Sequence, residues 1–124
     1  MVSVSAYLVG TIPCQCTLGE GPLWDERLGR LWWTDIQEAR LHYWDWDGGK
    51  SGWFDCPERL GSLGLTTQLD WLICAFASGF AMFRPETGEV RWIVRPEADY
   101  RGIRFNDGRV DRKGNFWAGS MVEN

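Results

Sequence analysis

The chain has 124 residues, room for one domain, and its 24% charged and 44% apolar residues sit close to the globular average, which excludes a disordered or fibrous protein. Lys plus Arg is 13 against 17 for Asp plus Glu, a net charge of -4 with no basic cluster. Nucleic acid is thereby excluded as a partner, because phosphate binding needs concentrated positive charge, and no apolar run approaches the roughly 20 residues that span a membrane.

The first ten residues lack the basic flank and the apolar length of a secretory leader, and the chain is expected to act in the cytoplasm. A strand is predicted over 3–9. Short apolar runs broken by turn residues predict further strands over 23–25, 30–35, 40–46, 51–56, 62–67, 71–75, 79–83, 90–94, 106–110 and 116–121. No segment keeps the i, i+3, i+4, i+7 apolar stripe of a helix without a Gly or a β-rich cluster breaking it. Asp47-Gly-Gly49 and Glu86-Thr-Gly88 supply positions that tolerate the positive φ of tight hairpins. Strands at this spacing predict an all-β protein. Of the four cysteines only Cys14 and Cys16 are close, and a Cys-x-Cys pair without a second pair or a nearby His is a weak zinc signal. Cys74, inside an apolar run, reads as a small hydrophobe, and all four are expected to be reduced and structural.

A repeat lies over this pattern. Tyr43 and Gly48 match Phe83 and Gly88 at an offset of 40, and 30–35 matches 70–75 at the same offset. A third copy begins at Asp111, where Asn115 answers Asp70 at an offset of 45. A period of about 40–45 residues with four strands is that of a β-propeller blade. Blades must stack to bury both faces, so Trp32, Trp33, Trp71, Trp92 and Trp117 are expected in the core between blades, rather than as sugar-stacking platforms. Residues 1–124 form a single partial propeller of about three blades, whereas closed rings have roughly four to eight. The chain is therefore part of a longer product, or closes by association of copies, or stands as an open fan; open blade faces favour self-association.

Leu18-Gly-Glu-Gly-Pro-Leu-Trp-Asp25, Leu31-Trp-Trp-Thr-Asp-Ile36, Arg104-Phe-Asn-Asp-Gly-Arg-Val-Asp111 and Asn115-Phe-Trp-Ala-Gly-Ser-Met121 occur in order and resemble the successive signatures of the SMP-30/gluconolactonase/luciferin-regenerating-enzyme family, which includes regucalcin. The resemblance covers roughly residues 16–124. It implies a six-bladed propeller of which this chain is the N-terminal half, and metal-dependent hydrolysis of sugar lactones in the central channel. It further implies that Glu20 is a ligand to one divalent metal ion (Ca²⁺, Zn²⁺, Mg²⁺ or Mn²⁺) and that Arg104 and Asn106 contact the small-molecule sugar lactone. The family's remaining ligands and its proposed base come from later blades, so the chain is not expected to be active alone. An acidic residue that some members place three positions after the Met would fall at Asn124, with Glu123 one step before it; Ser120 stands where the family has Thr.

The chemistry of these residue types agrees. Hard divalent cations take oxygen ligands, and a metal with an open position polarises a carbonyl and stabilises the oxyanion formed when water attacks. Arg104 offers a fixed fork of donors to hydroxyls or a product carboxylate, and Asn106 offers both a donor and an acceptor. None of the residues at hand fills the role of base. Structural readings stand beside these: Glu20 as a solvated turn residue, Arg104 paired with Asp99 or Asp107, and 106–108 as a hairpin turn with Asp107 supporting it. His42, the sole histidine, lies beside no Ser or Cys elbow, so Ser–His–Asp or Cys–His catalysis is not expected and His42 reads as structural or exposed. The alternative to a lactonase is a non-catalytic propeller part or binding module that keeps a partial cation or sugar site.

Overall fold

The computed structural model describes residues 3–99 and 101–123, and it is all-β, with no helix among the described residues. β1 (Gly19–Asp25), β2 (Arg30–Asp35), β3 (Arg40–Asp45) and β4 (Ser51–Asp55) form one antiparallel sheet in chain order. β5 (Leu60–Leu65), β6 (Leu72–Phe76), β7 (Gly79–Arg84) and β8 (Glu89–Val94) form a second of the same design. β9 (Ile103–Val110) and β10 (Phe116–Val122) form a two-stranded ribbon. The repeat thus corresponds to two complete blades and two strands of a third. The hairpin glycines act as their sequence requires: Gly48, Gly49 and Gly88 have φ of 83°, 66° and 76°, left-handed positions that residues with a Cβ rarely adopt.

The strand predicted over 3–9 is absent. Residues 3–16 carry no strand, and Val4, Tyr7, Leu8 and Val9 are exposed. Alternating side chains alone do not make a strand; its N–H and C=O groups need a neighbouring edge, and none of the described strands lies beside this segment.

Each blade closes its first turn with a side chain that replaces missing backbone partners. Asp25 Oδ1 accepts from the Arg27 N–H at 3.2 Å, and its Oδ2 faces the Trp32 indole N–H at 3.5 Å. Thr66 does the same work in the second blade, its hydroxyl accepting from the Gln68 N–H (3.2 Å) and donating to the Trp71 carbonyl (2.8 Å). In the third, Asp111 gathers the N–H groups of Lys113 (2.8 Å) and Asn115 (2.9 Å) and the indole N–H of Trp117 (2.9 Å). The Trp117 donor foremost, with those of Asn115 and Lys113, holds the Asp111 carboxyl down at about 2. A depressed folded-state value stabilises the fold above the unfolded value, and that contribution is lost as pH falls through the folded one. The β9–β10 ribbon is therefore expected to loosen in acid between the ordinary 3.8 and about 2. Asp111→Asn should remove this acid step, read as the fluorescence difference between the parent and Trp117→Phe chains.

The core lies between the blades. Trp32 and Leu41 of the first sheet pack on Leu60, Leu63, Leu72, Cys74, Phe76, Ala81 and Phe83 of the second, and each large side chain buried there is worth about 1.5–3 kcal/mol. Thr34 ties the two sheets by donating to the Leu60 carbonyl at 2.7 Å, and Phe80 joins the second sheet to the ribbon through Phe105 and Phe116, at 5.0 and 5.3 Å between ring centres. Of the five tryptophans predicted between the blades, only Trp32 belongs to this cluster among the described residues. Trp32, Trp33 and Trp71 are buried, but Trp92 is 36% and Trp117 68% exposed. Trp92 sits on β8, the outermost strand of its sheet, beneath the Arg95 guanidinium; Trp117 lies on the ribbon, beyond which no described strand packs. Trp33 is buried on the face of its sheet away from Trp32, stacked on His42 with 5.4 Å between centres, since neighbouring residues of a strand face opposite ways.

Candidate metal and substrate site

β1, β5 and β9 are the innermost strands, and they enclose a cavity of about 580 Å³ lined by Glu20–Leu23, Ser62–Leu65 and Asp107–Val110. The Gly-Glu-Gly-Pro run explains how Glu20 arrives there. Glu20 pairs with Thr34 and Leu23 with Trp32, so Gly21 and Pro22 face a single partner residue in a bulge. Gly21 takes φ 64°, and Pro22, with no N–H to offer the ladder, sits where none is needed. The Glu20 side chain is exposed at this bulge, and its carboxylate has no hydrogen bond or ion pair among the described residues. Two further oxygens line the same cavity. Ser62 Oγ is buried without a hydrogen-bond partner, and Asp107 carries its carboxylate on β9, one oxygen accepting from the Gly108 N–H at 2.9 Å. Residues 106–108 are not a hairpin turn; they run within β9 at a bulge, where the partner register shifts between Ala118 and Ser120.

Arg104 and Asn106 are hydrogen-bonded to each other, and neither is bonded to Glu20. Arg104, only 4% exposed, donates from Nη1 to Asn106 Oδ1 at 3.0 Å and from Nε to Glu123 Oε2 at 2.7 Å. Arg59 holds the other oxygen of Glu123. Neither Asp99 nor Asp107 pairs with Arg104; the acid is Glu123, which sequence reasoning passed over in favour of position 124. Asn124 itself lies outside the described residues. Arg104 foremost, then Arg59, holds the Glu123 carboxyl below its ordinary value. The pair stands outside the cavity lining, where β5 and β9 approach closely: a Cβ on Gly61 would meet the carbonyl oxygens of Phe105 and Asn106 at 2.6 and 2.7 Å. Removing Glu123 leaves a buried guanidinium without its carboxylate, so Glu123→Ala is expected to cost about 2 kcal/mol in urea unfolding, with Glu123→Gln losing less.

His42 is buried and not exposed, at 5%, between Trp33 and Trp53. Burial pulls its pKa below the ordinary value and pushes the Cys16 thiol up to about 11, so both are neutral at pH 7.

Known proteins resemble this chain in sequence and fold. The family described as the SMP-30/Gluconolactonase/LRE-like region matches residues 18–124. The chain is 38% identical over 107 residues to the L-arabinolactonase of Azospirillum brasilense, covering 86% of this chain and 35% of that protein. It is 36% identical over 104 residues to the 6-deoxy-6-sulfogluconolactonase of Pseudomonas putida, covering 84% and 35%. Its fold superposes on the calcium-binding protein regucalcin of Agrobacterium tumefaciens with a TM-score of 0.80 and 30% identity, covering 86% and 36%. The chain thus spans about a third of the length of the relatives it matches. The matched segment includes the Glu20 bulge, both inter-blade contacts and the Arg104–Asn106 pair, and with it the chain belongs to the SMP-30/gluconolactonase/LRE-like family.

Proposed function

We propose that this chain contributes to a metal-dependent hydrolase of sugar lactones, with Glu20 as a ligand to one divalent cation and Arg104 and Asn106 as contacts to the sugar lactone. The observation that carries it is the unpartnered Glu20 carboxylate at a cavity formed by three innermost strands, beside the orphaned Ser62 hydroxyl and the Asp107 carboxylate. An all-oxygen donor set of this kind fits a hard cation such as Ca²⁺ or Mg²⁺. Bound there, such an ion would supply Lewis-acid polarisation of the lactone carbonyl. The residues at hand do the rest of the work they can do: the cavity walls Leu23, Leu63, Leu65 and Val110 keep its sides apolar, and Arg104 keeps Asn106 oriented. A base to deprotonate the attacking water, and further oxygen ligands, are to be supplied outside these 124 residues, so the chain by itself is inactive in this proposal. Its four free cysteines suit the cytoplasm, where thiols stay reduced.

One observation favours the second reading. Arg104 is engaged through Nε by Glu123 and through Nη1 by Asn106, and lies outside the cavity lining, as befits a propeller part with a partial cation site and no catalysis. The discriminating experiment extends the chain to the length of its relatives and follows acid release from five- and six-carbon sugar lactones. Hydrolysis that chelator abolishes and a divalent ion restores supports the lactonase; none with any ion supports the binding module.

A further inference from the structure

A second set of ligand atoms lies off the axis. A ring nitrogen of His42, a carboxylate oxygen of Asp35 and Sγ of Cys16 stand within 4.8 Å of one another, and Sγ of Cys14 is 3.6 Å from that of Cys16. The sequence separates these residues: Cys16 lies 26 positions before His42, and only the pairing of β2 with β3 sets Asp35 and His42 beside the incoming segment. Gln15 between the two cysteines takes φ 53°, a left-handed position uncommon for a residue with a Cβ, and so turns both sulfurs the same way. Independently of that geometry, His42 Nε2 is buried with no hydrogen-bond partner among the described residues, a costly state for a polar atom that a cation bound at that nitrogen would relieve.

We propose that Cys16, Asp35 and His42 form a structural site for a zinc-type cation, separate from the axial cavity, with Cys14, whose Sγ stands beside that of Cys16 but outside the group of three, closing in as the fourth ligand on binding. The donors decide the class: thiolate and imidazole select Zn²⁺ over Ca²⁺ or Mg²⁺. The sulfur spacing fits, because two thiolates each about 2.3 Å from a tetrahedral zinc stand about 3.8 Å apart. Asp35 is already oriented, each oxygen accepting one backbone N–H, from Thr17 at 2.9 Å and Leu18 at 3.0 Å, and keeping a lone pair free. Cys14 is exposed and Cys16 half-buried, which gives the ion a way in. On binding, the two thiols release their protons to solvent and sulfur–metal bonds replace them. The site would pin the strandless segment before Thr17 to the first sheet, three residues upstream of the β1 bulge that carries Glu20.

The reduced 124-residue chain should take up one Co²⁺, with sulfur-to-cobalt charge-transfer absorption and the intense visible bands of a tetrahedral site, both displaced by one equivalent of Zn²⁺ and not by excess Ca²⁺. Cys14→Ser, at an exposed position, should weaken binding more than about 100-fold, the upper cost of losing even an outer partner, with unchanged circular dichroism. Glu20→Gln should keep the bands, which separates this site from the axial one. Cobalt taken up without charge-transfer absorption, bands indifferent to Cys14→Ser, or displacement by Ca²⁺ would each overturn the proposal, as would thiol titration showing that Cys14 and Cys16 form a disulfide under reducing conditions.

Discussion

Glu20→Gln, in a chain extended to the length of its relatives, is expected to abolish metal-dependent lactone hydrolysis, by more than about 100-fold, while the circular dichroism and the urea midpoint stay where they were. The amide keeps the size and one oxygen of the carboxylate but loses the charge that a hard cation needs. The fold should not notice, because the exposed side chain stands on a bulge at the cavity and holds no hydrogen bond or ion pair among the described residues. Activity retained alongside an intact fold would remove Glu20 from the metal site and leave the binding-module reading in place.

The second large effect is on the scaffold. Gly61→Ala is expected to destabilise the chain by about 3 kcal/mol, at the upper end of what an unaccommodated methyl costs. Its Cβ would fall 2.6 Å from the Phe105 carbonyl oxygen and 2.9 Å from Asn106 Cα, and backbone cannot swing aside as a side-chain tip does. The strand carrying Arg104 and Asn106 would have to move away from β5. Gly119→Ala, where a Cβ meets nothing within 4 Å, is the matched control and should change the urea midpoint little. Equal losses at both positions would mean that backbone freedom, and not the approach of β5 to β9, sets the cost.

Much of the fold was legible because turn glycines and alternating apolar residues act locally. The strand over 30–35 and the hairpins at Gly48 and Gly88 follow from neighbours a few residues apart. Residues 19–22 were harder: a Gly-Glu-Gly-Pro run reads as loop, yet it continues β1 as a bulge because Thr34 and Asp35 are there to pair with it. The strand over 3–9 failed for the complementary reason, having no such partner. Trp117 looked like core by its repeat position, but burial requires a facing blade, which a position cannot state. At the site, Glu20 stood out by its flanking residues. The Arg104–Glu123 pair and the grouping of Cys16 with His42 did not, since both depend on which strands lie side by side. A residue pattern carries the period of an element well and its distant neighbours poorly.

In both four-stranded sheets, strand order follows chain order, and the first turn of every blade is clasped by an Asp or Thr within its own hairpin. A polypeptide leaving the ribosome can therefore complete one blade before the next has been synthesised, without waiting for a distant segment to return. Assembly from the N-terminal end, blade upon blade, keeps loop-closure entropy low at each step and confines any misstep to the newest, still unclasped hairpin.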